Sequence, residues 1–207
     1  MCGIVGYIGN KDAISILLKG LQRLEYRGYD SAGIACIKKN SIQVFKTKGK
    51  VSDLKKIIAE NSIQSSIGIG HTRWATHGAP NQVNAHPHFS GDGSLALIHN
   101  GIIENYSAIK SALEAKGHKF VSETDTEVLV HLIEDIIYNE KISLFEAVRV
   151  ALDEVIGAYA IIVMQKGKAD EFVAARKGSP LLIGIGRNEY YVASDATPIV
   201  EYTNNVI

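Results

Sequence analysis

Cysteine is scarce in this sequence, with two residues among 207. So few cysteines exclude the dense disulfide framework that holds small secreted domains together. Neither sign of charge is in excess, because 22 Lys and Arg residues balance 22 Asp and Glu residues. Proteins that bind nucleic acid or anionic membranes usually present a basic face, so this balance argues against both kinds of partner.

Long apolar runs are also missing, since no stretch approaches the roughly 20 residues that a membrane-spanning helix needs. The opening segment, residues 1–9, lacks the basic residues that precede the apolar core of a signal peptide. We therefore expect a cytoplasmic protein with free thiols. What the chain does have is length and apolar content, because 207 residues with 46% hydrophobic side chains can bury a substantial core.

Apolar periodicity predicts strands near both ends of the chain and helices between them. The predicted strands are 4–8, 34–37, 42–46, 67–71, 95–99, 158–164, 172–175, 181–185 and 190–193. The predicted helices are 14–24, 54–58, 109–113, 128–136 and 144–155, the fourth introduced by a capping-box pattern from Thr124 to Glu127. Because strands and helices are grouped rather than alternating, we predict one domain with an α+β fold of layered, mainly antiparallel sheets.

The second residue, Cys2, is a candidate nucleophile. A residue this small allows removal of Met1, and the freed α-amine has an unperturbed pKa of about 8, close to the thiol's value of about 8.5. An N-terminal cysteine would then carry a nucleophile and a general base on one residue. The alternative is an incidental buried thiol, which position alone favours and which is also our interpretation of Cys36 in its apolar segment.

Three further segments carry groups that suit a substrate with an amide and charged ends. Arg73 follows a predicted strand and could bind a carboxylate through two parallel hydrogen bonds, or be a structural arginine stacked on Trp74. Asn100 and Gly101 could form an oxyanion hole from a side-chain amide and a backbone N–H, or a plain Asn-Gly turn. Asp125, in the first turn of a predicted helix, could hold an ammonium group or stabilise the helix.

Histidines and glycines are the natural places to look for a metal or cofactor. His86 and His88 have the i, i+2 spacing of some metal ligands, and three further histidines lie near predicted strand ends: His71, His77 and His99. No cysteine or carboxylate cluster accompanies them at ligand spacing, so we expect no metal ion and interpret most of them as hydrogen-bonding loop residues. The glycine-rich stretches 68–70 and 184–186 fit neither a dinucleotide loop nor a phosphate loop, so we expect no cofactor.

Taken together, these segments resemble the class II glutamine amidotransferases, which are N-terminal-nucleophile hydrolases. The similarity is carried by segments 1–6, 23–33, 71–78, 84–88, 99–105 and 122–127. Within that family they look most like the glutaminase domain of the glucosamine-6-phosphate synthases. The phosphoribosyl-pyrophosphate amidotransferase and asparagine synthetase branches share the cysteine start but match Tyr-Arg-Gly-Tyr-Asp (26–30) and Thr-Arg-Trp-Ala-Thr (72–76) less well.

The resemblance implies a four-layer αββα sandwich and a role for each matched residue. Cys2 would attack the side-chain amide of L-glutamine, and Asn100 and Gly101 would stabilise the oxyanion. Arg73 would bind the α-carboxylate of the substrate and Asp125 its α-ammonium group. The remaining matches belong to the glutamine pocket or to loops that cover it: Arg27, Trp74, Thr76, His77 and His86.

The resemblance also implies partners that the sequence does not contain. In the family, ammonia passes to sugar isomerase domains that bind fructose 6-phosphate, and we expect the full-length enzyme to be a homo-oligomer. Further strands are expected after Ile207, so we interpret 1–207 as a glutaminase domain truncated at its C-terminal end. The alternatives are the amidotransferase part of another biosynthetic enzyme, a hydrolase of a different amide, and a catalytically silent glutamine-binding module.

Overall fold

The computed structural model describes residues 2–74 and 78–207, and the strands in this part of the chain form two sheets. The first sheet contains β1 (Gly3–Ile8), β2 (Ser31–Lys38), β3 (Ser41–Lys48), β4 (Ile67–Arg73), β9 (Leu182–Gly186) and β10 (Glu189–Ala193). The second contains β5 (His88–Phe89), β6 (Leu95–Ile103), β7 (Gly157–Gln165) and β8 (Val173–Lys177). The strand orders are β3-β2-β4-β1-β10-β9 and β5-β6-β7-β8, and neighbouring strands in both sheets run antiparallel.

Helices cover the outer face of each sheet. They are α1 (Ala13–Leu24), α2 (Val51–Asn61), α3 (Tyr106–Ala115), α4 (Asp125–Glu140) and α5 (Leu144–Asp153), with a 3-10 helix at Glu25–Arg27. One apolar cluster joins α1 and α2 to the first sheet, and another joins α4 and α5 to the second. A third cluster fills the space between the sheets. The layers therefore run helix, sheet, sheet, helix, which confirms the predicted α+β sandwich.

The glycine-rich stretch in β4 allows α1 to approach the first sheet closely. A Cβ atom on Gly68 would lie 2.7 Å from Leu17 Cδ1, and one on Gly70 would lie 3.0 Å from Leu21 Cδ1. Both leucines are fully buried. These glycines have a packing role, because a side chain at either position would displace a buried leucine. The contacts of such a leucine matter for stability, since truncating it to alanine typically costs about 2–5 kcal/mol.

Helix α4 begins at Asp125, as predicted, but the predicted capping box does not form. The side chain of Thr124 makes no cap hydrogen bond, and its Oγ1 lies 3.0 Å from Ser122 Oγ and 3.0 Å from His88 Nε2. The carboxylate of Glu127 accepts hydrogen bonds from the preceding segment, including the backbone N–H of Ser122 at 2.7 Å. Buried polar partners from elsewhere in the chain have replaced the local capping pattern. No helix in the described part of the chain is both long and apolar enough to span a membrane.

Candidate active site

A cavity of about 370 Å³ opens where the ends of β4 and β6 meet the start of α4. Its volume lies within the range of about 300–1,000 Å³ that is usual for small-molecule sites. Most of the predicted site residues line it: Cys2, Arg27, Arg73, Trp74, His86, Asn100, Gly101 and Asp125. The remaining two, Thr76 and His77, lie outside the described residues.

Strand pairing brings Cys2 to the end of β4. Gly3 is paired with Thr72 in the antiparallel β1–β4 ladder, so the residue before β1 lies beside the residues that end β4. The backbone N–H of Trp74 donates a hydrogen bond to Cys2 Sγ at 3.1 Å. The backbone therefore fixes the thiol on the wall of the cavity, and Cys2 is partly exposed rather than a buried core thiol.

The environment of Cys2 keeps its thiol protonated. Burial raises the pKa of the Cys2 thiol above its ordinary value, although the Trp74 N–H and the positive charge of Arg73 oppose the shift. Because the thiolate is the reactive form, this cysteine needs a proton acceptor to act as a nucleophile. Cys36 differs, since it is fully buried in the cluster beneath α1 and α2 and burial raises its pKa to about 11. The prediction that Cys36 is a core thiol is confirmed.

Asn100 and Gly101 lie inside β6 and not in a turn. The strand continues to Ile103 because β7 pairs with it along its whole length, so the alternative of an Asn-Gly turn is wrong. Asn100 Nδ2 donates to the backbone carbonyl of Cys2 at 3.2 Å. Gly101 has a φ of 133°, and a Cβ atom there would lie 2.0 Å from the carbonyl oxygen of Ala158. The position therefore admits no side chain.

His71 fixes the orientation of the Asn100 amide. Its Nε2 lies 2.9 Å from Asn100 Oδ1. An amide oxygen only accepts hydrogen bonds, so His71 Nε2 carries the proton and donates. This bond directs the oxygen of the amide toward His71 and leaves its NH₂ group beside Cys2.

Arg73 places a buried positive charge on the cavity wall. Its Nη2 donates to the carbonyl oxygen of Gly78 at 3.1 Å, and its Nη1 lies 3.8 Å from Asp30 Oδ1. The Trp74 ring packs over the turn at Gly28, where an added Cβ atom would lie 2.4 Å from the ring. The guanidinium of Arg73 is thus held by a carbonyl oxygen and a carboxylate oxygen. The Trp74 ring covers the turn that follows the 3-10 helix.

Asp125 places a buried negative charge on the same cavity. The residue is 4% exposed, and its Oδ2 accepts a hydrogen bond from the backbone N–H of Ile103 at 2.8 Å. Its position at the start of α4 also lets the helix dipole stabilise the carboxylate. The cavity thus combines a thiol, an amide donor and two buried charges of opposite sign.

Arg27 lies at the edge of the cavity, in the 3-10 helix that follows α1. Its Nη1 donates to the carbonyl oxygen of Ser194 at 3.1 Å and lies 3.6 Å from Asp195 Oδ2. The hydroxyl of Tyr26 donates to the same Asp195 oxygen at 2.8 Å. The segment is therefore anchored to the end of β10, and its movement over the site stays a prediction.

Four histidines are buried in the Cys2 cavity or next to a residue that lines it: His71, His86, His88 and His99. The prediction that they are loop residues is confirmed for His86, which lies outside the strands and helices, and is wrong for the other three. His71 and His99 end two predicted strands and lie within β4 and β6, which continue to Arg73 and Ile103, and His88 begins β5, a strand that the sequence did not indicate. The rings of His71 and His86 stack with centroids 4.1 Å apart. Burial lowers the pKa of His71 and of His88 to about 3 and also lowers those of His86 and His99, so the group is neutral at pH 7.

Sequence reasoning missed several residues that line the cavity. They are His71, His99, Ile102, Thr124, Thr126, Ser179 and Pro180. A signal was present for the two histidines, since they lie within the motifs that contain Arg73 and Asn100. Nothing local marks Ser179 and Pro180, which reach the cavity through the packing of distant strands.

Comparison with known proteins identifies the family. The family model described as "Glutamine amidotransferase domain" matches residues 71–201, which is more than half of the chain. Glutamine–fructose-6-phosphate aminotransferase (isomerizing) from Bacteroides thetaiotaomicron is 60% identical over the whole chain, and the enzyme of the same name from Thermus thermophilus is 54% identical. The chain spans 34% of the length of each of these two relatives.

Solved structures agree with these matches. Glutamine phosphoribosylpyrophosphate amidotransferase from B. subtilis, in complex with ADP and GMP, superposes with a TM-score of 0.83 at 31% identity. The match covers 98% of this chain and 44% of that one. A glutamine aminotransferase class-II domain protein from Silicibacter pomeroyi shares the fold, with a TM-score of 0.59 at 15% identity. The chain therefore belongs to the glutamine amidotransferase domain family.

Proposed function

We propose that this chain hydrolyses L-glutamine to glutamate and ammonia, with Cys2 as the nucleophile. One observation carries the proposal: a single cavity is lined by the Cys2 thiol, the Asn100 amide and the buried charges of Arg73 and Asp125. Glutamine has the complementary groups, namely a side-chain amide, an α-carboxylate and an α-ammonium group. The family membership supports the same substrate class.

In the proposed reaction, removal of Met1 leaves an α-amine on Cys2 that accepts the thiol proton. Cys2 Sγ then bonds to the amide carbon of glutamine, and the carbonyl oxygen becomes an oxyanion. The C–N bond breaks as the amine returns its proton to the leaving group, which departs as ammonia. Water attacks the resulting thioester, glutamate leaves, and the thiol is restored. An amine with a pKa of about 8 suits this exchange at neutral pH.

The electrostatics of the site favour the amine as the base. Burial raises the pKa of the Cys2 thiol, so it does not ionise unaided. His71 is the histidine that touches Asn100, and burial lowers its pKa to about 3, which makes its ring a weak base at pH 7. The oxyanion would be stabilised by Asn100 Nδ2, which already lies 3.2 Å from the Cys2 carbonyl oxygen, and by the Gly101 N–H.

Substrate selection would depend on the two buried charges. Arg73 would bind the α-carboxylate of glutamine and Asp125 its α-ammonium group. A site with such charges rejects an analogue that lacks the matching group, because a buried charge would be left unpaired. We further propose that the glutamine pocket and its covering loops include these residues: Arg27, Trp74, Thr76, His77 and His86.

We also propose that the complete enzyme is a glutamine–fructose-6-phosphate aminotransferase of the cytoplasm. Identities of 48–60% to enzymes of that name, against 31% to the phosphoribosylpyrophosphate amidotransferase, favour this branch over the other amidotransferases. Because the chain spans about a third of those relatives, fructose 6-phosphate would be bound by sugar isomerase domains outside it. A homo-oligomeric state of the complete enzyme belongs to the same proposal.

The proposal is tested by measuring the ammonia that the purified chain releases from glutamine and from 4-aminobutanamide, which lacks the α-carboxylate. We expect release from glutamine and much less from the analogue. Equal rates on both would favour a hydrolase of other amides, and glutamine binding without release would favour a silent module. In the complete enzyme, stimulation by an acceptor other than fructose 6-phosphate would assign the chain to another biosynthetic enzyme.

A further inference from the structure

A second polar cluster lies on α4, away from the Cys2 cavity. It contains His131 and Glu134 of α4 and His118 from the segment between α3 and α4. The three side chains line a separate cavity of about 1180 Å³ that shares no lining residue with the Cys2 cavity. The proposed glutamine chemistry gives none of them a role.

Three potential ligand atoms in this cluster are mutually close. His118 Nδ1 and His131 Nδ1 lie 3.3 Å apart, and Glu134 Oε2 lies 3.2 Å from His131 Nδ1 and 3.5 Å from His118 Nδ1. Zinc binds nitrogen and oxygen ligands at about 2.0–2.1 Å in tetrahedral geometry. The edge of a tetrahedron is about 1.63 times its centre-to-corner distance, so such ligands lie about 3.3–3.4 Å from one another. The three atoms therefore already span one face of a zinc tetrahedron.

The opposite side of each imidazole ring faces a carboxylate. His118 Nε2 lies 3.3 Å from Asp135 Oδ1, and His131 Nε2 lies 3.7 Å from Glu127 Oε1. Metal-binding histidines almost always present their second nitrogen to such a partner, which fixes the tautomer and makes the ligand more basic. With a proton on Nε2, each ring would offer the lone pair of its Nδ1 atom to a metal ion that also binds Glu134.

We propose that His118, His131 and Glu134 form a binding site for a divalent transition-metal ion, with Zn²⁺ as the preferred ion. Two imidazoles and one carboxylate are a ligand set that zinc uses, and the fourth position would be taken by a solvent molecule from the cavity. The metal would connect the segment that contains His118 to α4, the helix that carries Asp125 into the Cys2 cavity. This inference is independent of the proposed glutaminase activity.

A metal-free ion-pair network is the competing account of the same residues. Although burial opposes the shift, Glu127 and Glu134 raise the pKa of His131 to about 9. A proton on His131 therefore competes with a metal ion, and binding is best measured above neutral pH. The Lys116 ammonium lies 2.5 Å from Asp135 Oδ2 and is a further charge that faces this network.

The test is a zinc titration of the chelator-treated chain against a chromophoric competitor, with Co²⁺ absorption as a second readout. We expect one Zn²⁺ per chain and the intense visible bands of tetrahedral Co²⁺. The ligand variants His118→Asn and Glu134→Gln should lose the site. Asp135→Asn, which removes only a carboxylate behind a ligand, should weaken zinc binding by about 10–100-fold. Circular dichroism checks that each variant is folded.

Two controls separate this site from other zinc ligands in the chain. Cys2→Ala should leave the zinc stoichiometry and the Co²⁺ bands unchanged, because Cys2 lies on the other cavity. Glu146→Gln removes a half-exposed carboxylate from α5 that does not line this cavity, and it should also have no effect. At a zinc concentration of 100 times the Kd, the melting temperature should rise by about 5–10 °C in the unaltered chain and not in His118→Asn.

Three results would overturn the proposal. One is a folded, unaltered chain that binds no zinc in the titration. Another is a zinc complex that survives both His118→Asn and Glu134→Gln. The third is a complex that disappears in Cys2→Ala, which would assign the metal to the thiol. None of these readouts depends on glutamine hydrolysis, so failure of the glutaminase proposal would be recognised separately.

Discussion

Two groups of buried or partly buried histidines differ in their electrostatic state. In the group formed by the Cys2-cavity histidines and His88, whose ring contacts that of His86, burial lowers the pKa to about 3 for His71 and for His88. On α4, neighbouring carboxylates raise the pKa of His131 to about 9 despite its burial. The hydrogen-bond partners explain the contrast, because His71 bonds to Asn100 and His88 to a threonine hydroxyl, whereas His131 contacts glutamates.

The difference shows how one residue type serves two purposes. A neutral, buried imidazole donates a fixed hydrogen bond and orients its partner, as His71 does for Asn100. An imidazole surrounded by carboxylates holds a proton or, by our inference, a metal ion. In this account the cavity histidines position groups and the proton transfer belongs to the Cys2 amine.

The largest effect is expected at Cys2, because the neutral histidines of the cavity cannot replace its thiol as the nucleophile. Cys2→Ala should reduce glutamine hydrolysis by on the order of 10⁴–10⁶-fold, as loss of a nucleophile does in other hydrolases. The matched control is Cys36→Ala, which removes a thiol that is fully buried away from the cavity. Steady-state ammonia release measures both. Turnover near the unaltered rate in Cys2→Ala would contradict the assignment.

A smaller effect is expected at the oxyanion. Asn100→Ala should lower kcat by about 10²–10³-fold, since removing one oxyanion donor costs roughly 2.7–4 kcal/mol. The change should appear in kcat more than in KM because the interaction strengthens in the transition state. Asn105→Ala is a suitable control, because Asn105 Nδ2 donates to the carbonyl of Glu154 away from the cavity. An unchanged kcat would remove Asn100 from the oxyanion hole.

The buried neutral histidines, including His88, should make the fold sensitive to mild acid. His88 is neutral in the folded chain until a pH of about 3, whereas in the unfolded chain it takes a proton below a pH of about 6.5. The unfolded state therefore binds more protons between these values, and stability falls as the pH falls from 6.5. Each such histidine contributes up to about 1.36 kcal/mol per pH unit, or tenfold in the unfolding constant.

His88→Gln tests this directly, because glutamine can keep the hydrogen bond to Thr124 but binds no proton. Urea unfolding gives the free energy of unfolding at each pH between 5 and 7. This free energy should change less steeply with pH in the variant, and the difference in slope should correspond to at most about one proton. Identical slopes in the two proteins would mean that His88 titrates normally in the folded state.

The smallest predicted effect concerns the orienting role of His71. His71→Leu removes the hydrogen bond to Asn100 Oδ1, which is worth about 0.5–1.5 kcal/mol, so kcat should fall by about 2–13-fold. His71→Gln provides a replacement donor and should recover most of that loss. The pH dependence of kcat should be the same in all three proteins. A shifted pH profile would indicate that His71 itself transfers the proton.

Much of the layered fold was predictable because it depends on local apolar periodicity. The ends of individual strands were harder to predict. Asn100-Gly101 is a typical turn sequence, and it belongs to strand β6 only because it pairs with β7. The same holds for Thr124, whose hydroxyl has tertiary partners in place of a helix cap. Long-range pairing outweighs local preference at these positions.

The site was predictable to the extent that its residues belong to recognisable segments. Cys2, Arg73, Asn100 and Asp125 were named from such segments, and the structure brings them to one cavity. The α4 cluster was missed because His118 and His131 are 13 residues apart and meet only when the segment after α3 packs against the helix. Their proximity is a tertiary property that spacing along the chain does not encode.

The most direct test of the account is the intact mass of a chain prepared with Cys2 as its first residue, before and after an electrophilic analogue of L-glutamine is added. The account predicts a single adduct, located at Cys2 by peptide mapping and prevented by excess L-glutamine. The same chain with Met1 retained should react far more slowly, because the α-amine is then absent from Cys2. Modification of Cys36, or no adduct on the folded chain that begins with Cys2, would contradict the assignment of Cys2 as the nucleophile of a glutamine site.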